Sequence, residues 1–229
     1  MNTKTEHYTQ NSTDIPFTFL DTPTLPLLID EIFKDNYDVI KANLSFSPGD
    51  VVLDVGANEG IFSIWMSKLF PQTSIVALEP VPSTFDIMVE NIGINGCRNI
   101  KPLNLGVGKP GQKSTTLYTN RNGQNTGGAS SLFTFNPEVH ESAEVHLITL
   151  DEVFYRYGID HCRLLKMDIE GAEYEALYNS YVLPHIDYLV MEAHMNSRLT
   201  FQSRRADGLL TWCSNRTKVI HFTVCNMAE

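Results

Sequence analysis

Cysteine is scarce and scattered. The four, Cys97, Cys162, Cys213 and Cys225, include no close pair. That spacing suits neither a zinc site nor a disulfide framework, and isolated thiols fit a reducing cytoplasm. Basic charge is also short: 17 Lys and Arg face 27 Asp and Glu, a net charge of −10, which argues against non-specific nucleic-acid binding. No apolar run approaches the ~20 residues of a membrane span, and the first 15 residues lack a signal peptide's apolar segment. The phosphate loop of Gly-Lys-Ser/Thr type is missing. A cytoplasmic protein with neither nucleic acid nor membrane as partner is expected.

The 229 residues suffice for one α/β domain with a substantial core. They are organised around the run from Val51 to Gly60. Val51, Val52, Leu53 and Val55 make a short β-branched strand of the buried, parallel kind. Gly56 and Gly60 then allow close backbone approach to a ligand, and residues 61–70 continue as a helix. The three-glycine dinucleotide fingerprint is not met, because Asn58 stands in it and no third glycine follows. The next strand, Ser74 to Leu78, ends in Glu79-Pro80. An acid about 20 residues past such a turn is placed to hold ribose hydroxyls.

These strands resemble those of the class I S-adenosylmethionine-dependent methyltransferases, and within them the FkbM family. The resemblance rests on Asp54-Val55-Gly56-Ala57-Asn58-Glu59-Gly60, on Glu79-Pro80 with Pro82, and on Leu150-Asp151. It rests further on Lys166-Met167-Asp168-Ile169-Glu170-Gly171-Ala172-Glu173, its most specific string, and on Glu192-Ala193-His194. It implies a Rossmann-like, mostly parallel twisted sheet with helices on both faces. It also implies transfer of a methyl group to a hydroxyl on a small molecule, sugar or natural-product intermediate, free or presented on a carrier protein. S-adenosylhomocysteine is then the product.

Along the chain, residues 1–48 read as an arm plus helix and residues 49–229 as the methyltransferase domain. Residues 1–14 are polar and predict a loose end. Residues 15–28, with Pro16, Pro23 and Pro26 among apolar neighbours, predict an irregular arm, either a lid on the site or a strap on the core. Residues 27–43 read as one helix. Pro82 opens a helix whose buried face is Phe85, Met88, Val89 and Ile92. Residues 100–105 form the third strand, and residues 119–138 a long polar loop between two strands that either binds substrate, closes over the cofactor or is a surface hairpin. Thr149 starts a helix that Gly158 stops. Residues 163–167 and 185–191 are the fourth and fifth strands. A last strand near 219–224 stands where the resembling fold has two antiparallel ones, so either the second is absent and the sheet is shortened at its C-terminal edge, or the long hairpin covers that edge instead.

Ligands of parallel sheets bind at the strands' carboxyl ends, which brings Asp54, Glu79, Asp168, Glu192 and His194 to one rim. Asp54 suits the amino group of S-adenosylmethionine, the amides of Gly56, Ala57, Asn58 and Gly60 its carboxylate, and Glu79, beside Pro80, its ribose. Asn104 and Gly106 are candidates beside the adenine. His194, Asp168 and Glu170 are the candidates for the base an O-methylation needs, His194 for its ordinary pKa of ~6.5. Asp168 also serves the cofactor side. Buried Lys166 calls for Asp168 or Glu192 as partner. Glu152, Glu173 and Glu175 read as helix-surface acids. Asp168 and Glu170 are also spaced as a metal pair, as in some catechol-type methyltransferases, but no dedicated acid cluster extends them and no metal is expected. The Asn/Asp-Pro-Pro-Tyr/Phe motif of nitrogen methylation is missing after the fourth strand, which favours oxygen. A NAD-dependent oxidoreductase and a non-catalytic nucleotide-binding module are the alternatives.

Overall fold

The computed structural model describes residues 2–10, 12–35, 37–120, 129, 131, 138, 140–195 and 205–226. The chain opens on an antiparallel hairpin, β1 (Thr3–Gln10) and β2 (Thr13–Leu20), so the polar end is ordered where a loose one is predicted. Long-range contacts supply the order. Phe17 and Phe19 are fully buried, and Tyr8 sets its ring edge-on against Phe17, Phe33 and Trp65. The free edge of β2 is met by side chains: Asn95 Oδ1 accepts from Thr18 N at 3.1 Å and Asn91 Oδ1 from Leu20 N at 2.8 Å. Pro16 is tolerated because the strand is an edge.

The single helix predicted over 27–43 is broken into α1 (Leu25–Asp30), a π-turn (Glu31–Asp35) and α2 (Asp38–Asn43). Such widened turns recur at functional sites, and this one aims Glu31 into a cleft. The sheet strands then follow: β3 (Val51–Val55), α3 (Ile61–Leu69), β4 (Ser74–Leu78), α4 (Pro82–Ile94) and β5 (Ile100–Leu103). On α4, Val89 is 42% exposed and does not join the buried face predicted for it. Asn91 takes its place inside, because it also donates to Glu59 O at 2.9 Å.

Next come β6 (Gly106–Val107), β7 (Ser114–Asn120), β8 (His140–Ile148), α5 (Leu150–Tyr157), β9 (Cys162–Met167) and α6 (Glu173–Tyr178). Thr149 and Glu152 form a reciprocal capping box on α5, and Gly158 ends it at φ 63°. After a short 3-10 turn come β10 (Ile186–Met195), α7 (Ala206–Ser214) and β11 (Lys218–Asn226). Because β10 extends to Met195, Glu192 and His194 lie within the strand and not beyond it.

The main sheet has the order β11-β10-β9-β3-β4-β5, and every neighbouring pair is parallel. The far edge therefore differs from the two antiparallel strands of the resembling fold: α7 supplies the crossover that lets β11 add in parallel. Nor does the long hairpin cover that edge. β8 pairs with β7 and with β6, which follows β5 at the opposite end. Alternation along the strands splits the core in two. Val52, Leu164 and Val190 join a cluster with the N-terminal hairpin and α3, and Leu53, Leu165 and Leu189 join one with α5, α6 and α7.

Candidate active site

The turn after β3 is held open from behind. Gly56 and Ala57 both donate to Leu78 O, at 3.0 and 2.9 Å, and Asn58 N donates to Glu79 Oε2 at 2.9 Å. These amides are thus committed within the chain, where the sequence reading leaves them for a ligand. Glu79, 6% exposed, takes Val81 N on its other oxygen at 2.9 Å. Each carboxylate oxygen keeps a second lone pair, and the side chain lines the cleft. Burial pushes its pKa up to about 7, against the two amide bonds that lower it. Asn104 braces this corner by donating to the carbonyls of Glu79 and Pro80 at 2.9 and 3.0 Å.

Two clefts open on the rim. The first runs past Glu79, Pro80, Leu105, Gly106 and Leu147. Gly106 makes it narrow: a Cβ there would meet Leu147 at 2.8 Å and Pro80 at 3.2 Å. Ala129 and Ser131 of the long polar loop also line it; most of that loop lies outside the described residues. The second lies under α1 and the π-turn, and is lined by apolar Leu27, Leu28 and Phe62 and by the polar side chains of Glu31, Lys166, Glu192 and His194. Gly56, Asn58, Asp168 and Glu170 line both clefts. The N-terminal arm is thus strap and wall at once. Thr22 and Thr24 donate to the buried Glu59 carboxylate, at 2.8 and 2.5 Å, which ties the arm to the glycine turn.

Of the predicted cofactor residues, Gly56, Asn58, Glu79, Pro80, Gly106 and Asp168 line the first cleft and Ala57 the second. Three stand behind. Gly60 is buried against Met88, where a Cβ would lie 2.8 Å from its Cγ. Asn104 is the brace described above. Asp54 is fully buried, accepts from Ser63 Oγ at 2.6 Å and faces Lys166 Nζ at 3.7 Å. Lys166 lies 3.7 Å from Asp168 and donates to Gly56 O at 2.9 Å. Its partners are therefore Asp54 and Asp168, and Glu192 is not among the ion pairs it makes with described residues.

The three predicted base candidates meet. His194 Nε2 is 3.5 Å from Glu170 Oε2, and Nδ1 is 3.8 Å from Asp168 Oδ1. Glu170 sits at φ 53°, a left-handed conformation rare for a side chain of its size. Nearest of all is Glu173, 3.0 Å from His194 Nδ1. Glu173 is fully buried, which corrects its reading as a surface acid. The Gly171 turn swings the start of α6 inward, and the carboxylate accepts from Ile169 N at 3.1 Å and Gly171 N at 3.0 Å. An acid two residues after a glycine, in Glu-Gly-x-Glu, is the signal that a turn's own amides need an acceptor. Burial lowers the His194 pKa, but the Glu173 hydrogen bond and the charges of Glu173, Glu170 and Asp168 outweigh it and raise it to about 9, above the ordinary value assumed from sequence. Asp168, Glu170 and His194 offer donor atoms within 4.8 Å of one another, as do Glu192, His194 and Cys225. A metal there would have to displace an imidazole proton that the surrounding acids retain.

Burial raises Glu31, Glu79 and Glu170 to about 7 each. Their protonated forms favour the folded state fully below the ordinary carboxyl pKa, and that contribution is lost as pH rises through 7. The His194 contribution persists to its ordinary pKa and is lost as pH rises through about 9. Both windows have one sign. The ligand-free protein should melt highest near pH 5 and fall by several degrees toward pH 9, on the order of 2–4 °C per kcal/mol for a chain of this size. A melting temperature flat or rising over that interval in calorimetry would contradict these environments.

A parallel sheet of this order, with its polar groups gathered beyond the ends of β3, β4 and β9 and along the end of β10, is a Rossmann-like α/β fold. Residues 54–219 match the methyltransferase FkbM domain. The chain belongs to that family, whose cofactor is S-adenosylmethionine. It is 31% identical over 175 residues to methyltransferase sdnD of Sordaria araneosa, over 64% of this chain and 65% of that protein. It is 24% identical over 189 residues to the 31-O-demethyl-FK506 methyltransferase FkbM of Streptomyces tacrolimicus, over 72% of each. Among solved structures, a precorrin-6y C5,15-methyltransferase from Geobacter metallireducens matches at 17% identity and a TM-score of 0.38, over 68% of this chain and 60% of that one.

Proposed function

We propose that this chain methylates a hydroxyl oxygen of a small molecule, sugar or natural-product intermediate, free or presented on a carrier protein. The observation that carries the reading is the partition of Gly56, Asn58, Asp168 and Glu170 shared by two clefts. On one side Glu79 offers two free lone pairs for a ribose diol, and Gly106 leaves a slot for a flat ring. On the other side His194 and Glu170 can receive a proton. S-adenosylmethionine, bound in the first cleft, supplies a methyl group already activated for in-line displacement. The protein's part is then orientation and proton removal. Lys166 fixes the carbonyl of the glycine turn, Asp168 and Glu170 shape the opening between the clefts, and Leu27 and Leu28 of the arm with Phe62 of α3 give the acceptor an apolar surface. Oxygen as the acceptor atom is favoured by the name of the Streptomyces relative and by Asp168-Ile169-Glu170-Gly171 standing where a nitrogen-methylation motif would be. Membership in a methyltransferase family leaves the nicotinamide alternative without support.

Calorimetric titration of chelator-treated protein with S-adenosylmethionine and S-adenosylhomocysteine tests the first cleft. Both should bind, and Glu79→Ala should weaken both roughly tenfold or more, the effect of losing ~1.5–3 kcal/mol of hydrogen bonding to a charged group. Unchanged affinity would remove Glu79 from the site, and binding of NAD in place of either compound would overturn the reading. With an acceptor found by screening hydroxylated compounds, His194→Ala should keep cofactor affinity and lower turnover by about 10²–10⁴.

A further inference from the structure

Among the described residues, Glu173 is the one fully buried acid that touches His194. Its Oε1 accepts from Ile169 N at 3.1 Å and stands 3.0 Å from His194 Nδ1. Both of its oxygens face Gly171 N, at 3.3 and 3.0 Å. An oxygen that already accepts backbone N–H groups has only lone pairs to offer the ring, so Nδ1 must carry the hydrogen. This assignment holds whether the ring is neutral or charged. It leaves Nε2 as the atom that changes state, and His194 lines the acceptor cleft.

We propose that Glu173 is a positioning residue for methyl transfer: it holds His194 as the Nδ1–H tautomer, so that Nε2 takes the proton of the acceptor hydroxyl. The proposal rests on the O-methylation reading for its catalytic meaning, but the tautomer does not. In the proton step the O–H pair stays on oxygen and the proton enters the Nε2 lone pair. The resulting imidazolium then releases it to Glu170, whose Oε2 is 3.5 Å away, or to solvent. His194 is faced by Glu173 from α6 and by Asp168 and Glu170 from the turn after β9. Lys166, Glu31 and Glu192 line the same cleft, and Cys225 of β11 donates to Glu192 at 3.4 Å. Because these neighbours keep the ring protonated to about pH 9, turnover should climb from neutral pH toward about pH 9 as Nε2 is freed, and level off above it.

Long-range proton–nitrogen NMR of the histidine rings, on the full chain without ligand, tests this independently of activity. Across a titration from about pH 5 to 10 the neutral His194 ring should show Nδ1–H, and its midpoint should lie well above the ordinary ~6.5. Glu173→Gln keeps the side chain's shape and one acceptor oxygen but removes its charge. The midpoint should then fall by about one unit or more, in the range of a lost neighbouring charge. A neutral ring with its hydrogen on Nε2 in the unsubstituted protein overturns the proposal, and so does an unmoved midpoint in a folded Glu173→Gln, which would make Glu173 only a brace for Ile169 and Gly171. If that variant does not fold, the tautomer of the unsubstituted protein decides alone. Failure of S-adenosylmethionine to bind would sink the cofactor reading and leave the tautomer standing. The wrong tautomer with normal binding would sink only this proposal.

Discussion

Gly56→Ala should lower the melting temperature by about 10 °C and abolish cofactor binding. Gly56 has φ 81°, and a Cβ on it would lie 1.8 Å from the carbonyl oxygen of Asp168 and 2.9 Å from its carbon. Neither neighbour can yield. Gly56 N is bound to Leu78 O and Asp168 N to Val55 O, both at 3.0 Å, and Lys166 holds Gly56 O at 2.9 Å. The left-handed backbone costs about 1–2 kcal/mol for a side chain, and overpacking against fixed backbone adds about 1–3 kcal/mol. At about 2–4 °C per kcal/mol for 150–250 residues, the sum is about 10 °C. Gly49→Ala separates the two contributions, since Gly49 has φ 91° and nothing within 4 Å of a would-be Cβ. It should lose only the backbone part and keep cofactor affinity. Equal losses in the two variants would show that the close approach of β3 and β9 is not what requires the glycine.

That close approach is half legible in the sequence. The Val51–Val55 run, the glycine turn and the acid ending the next strand are local patterns, and so are the helix start at Thr149 and the stop at Gly158. Each is fixed by neighbours a few residues away, and each stands in the structure as read. What Gly56 packs against is Asp168, more than a hundred residues on, and no local pattern carries that. The same holds for the residues misplaced. A polar β1 looks loose until Tyr8 finds Phe33 and Trp65. Glu173 looks like an exposed helix-start acid until β10 brings His194 beside it. Asp54 looks like a ligand for the cofactor because it ends an apolar strand, yet strand alternation turns it to the face where β9 delivers Lys166, its register partner.

Lys166→Met tests that pairing, and it should cost about 3–5 kcal/mol, the usual loss when one partner of a buried ion pair is removed. Lys166 is 5% exposed and Asp54 fully buried. Asp54 Oδ2 has Ser63, but Oδ1 finds no hydrogen bond among the described residues, so the ammonium 3.7 Å away is its compensation. Burial already raises the Asp54 pKa, and Lys166 is the main influence holding it down. Without Lys166 it must rise further, and the folded protein retains a proton on Asp54 that the unfolded chain gives up. The deficit is therefore small at pH 5 and grows toward pH 8. Asp54→Asn added to Lys166→Met removes the orphaned charge while an amide oxygen can still accept from Ser63. The double variant should recover at least half of the lost stability and lose most of the pH dependence. A double variant no more stable than Lys166→Met, or a deficit equal at both pH values, would assign Lys166 to the carbonyl of Gly56 instead. In that case the single variant should also weaken S-adenosylmethionine binding, because the glycine turn loses the ammonium that holds its carbonyl.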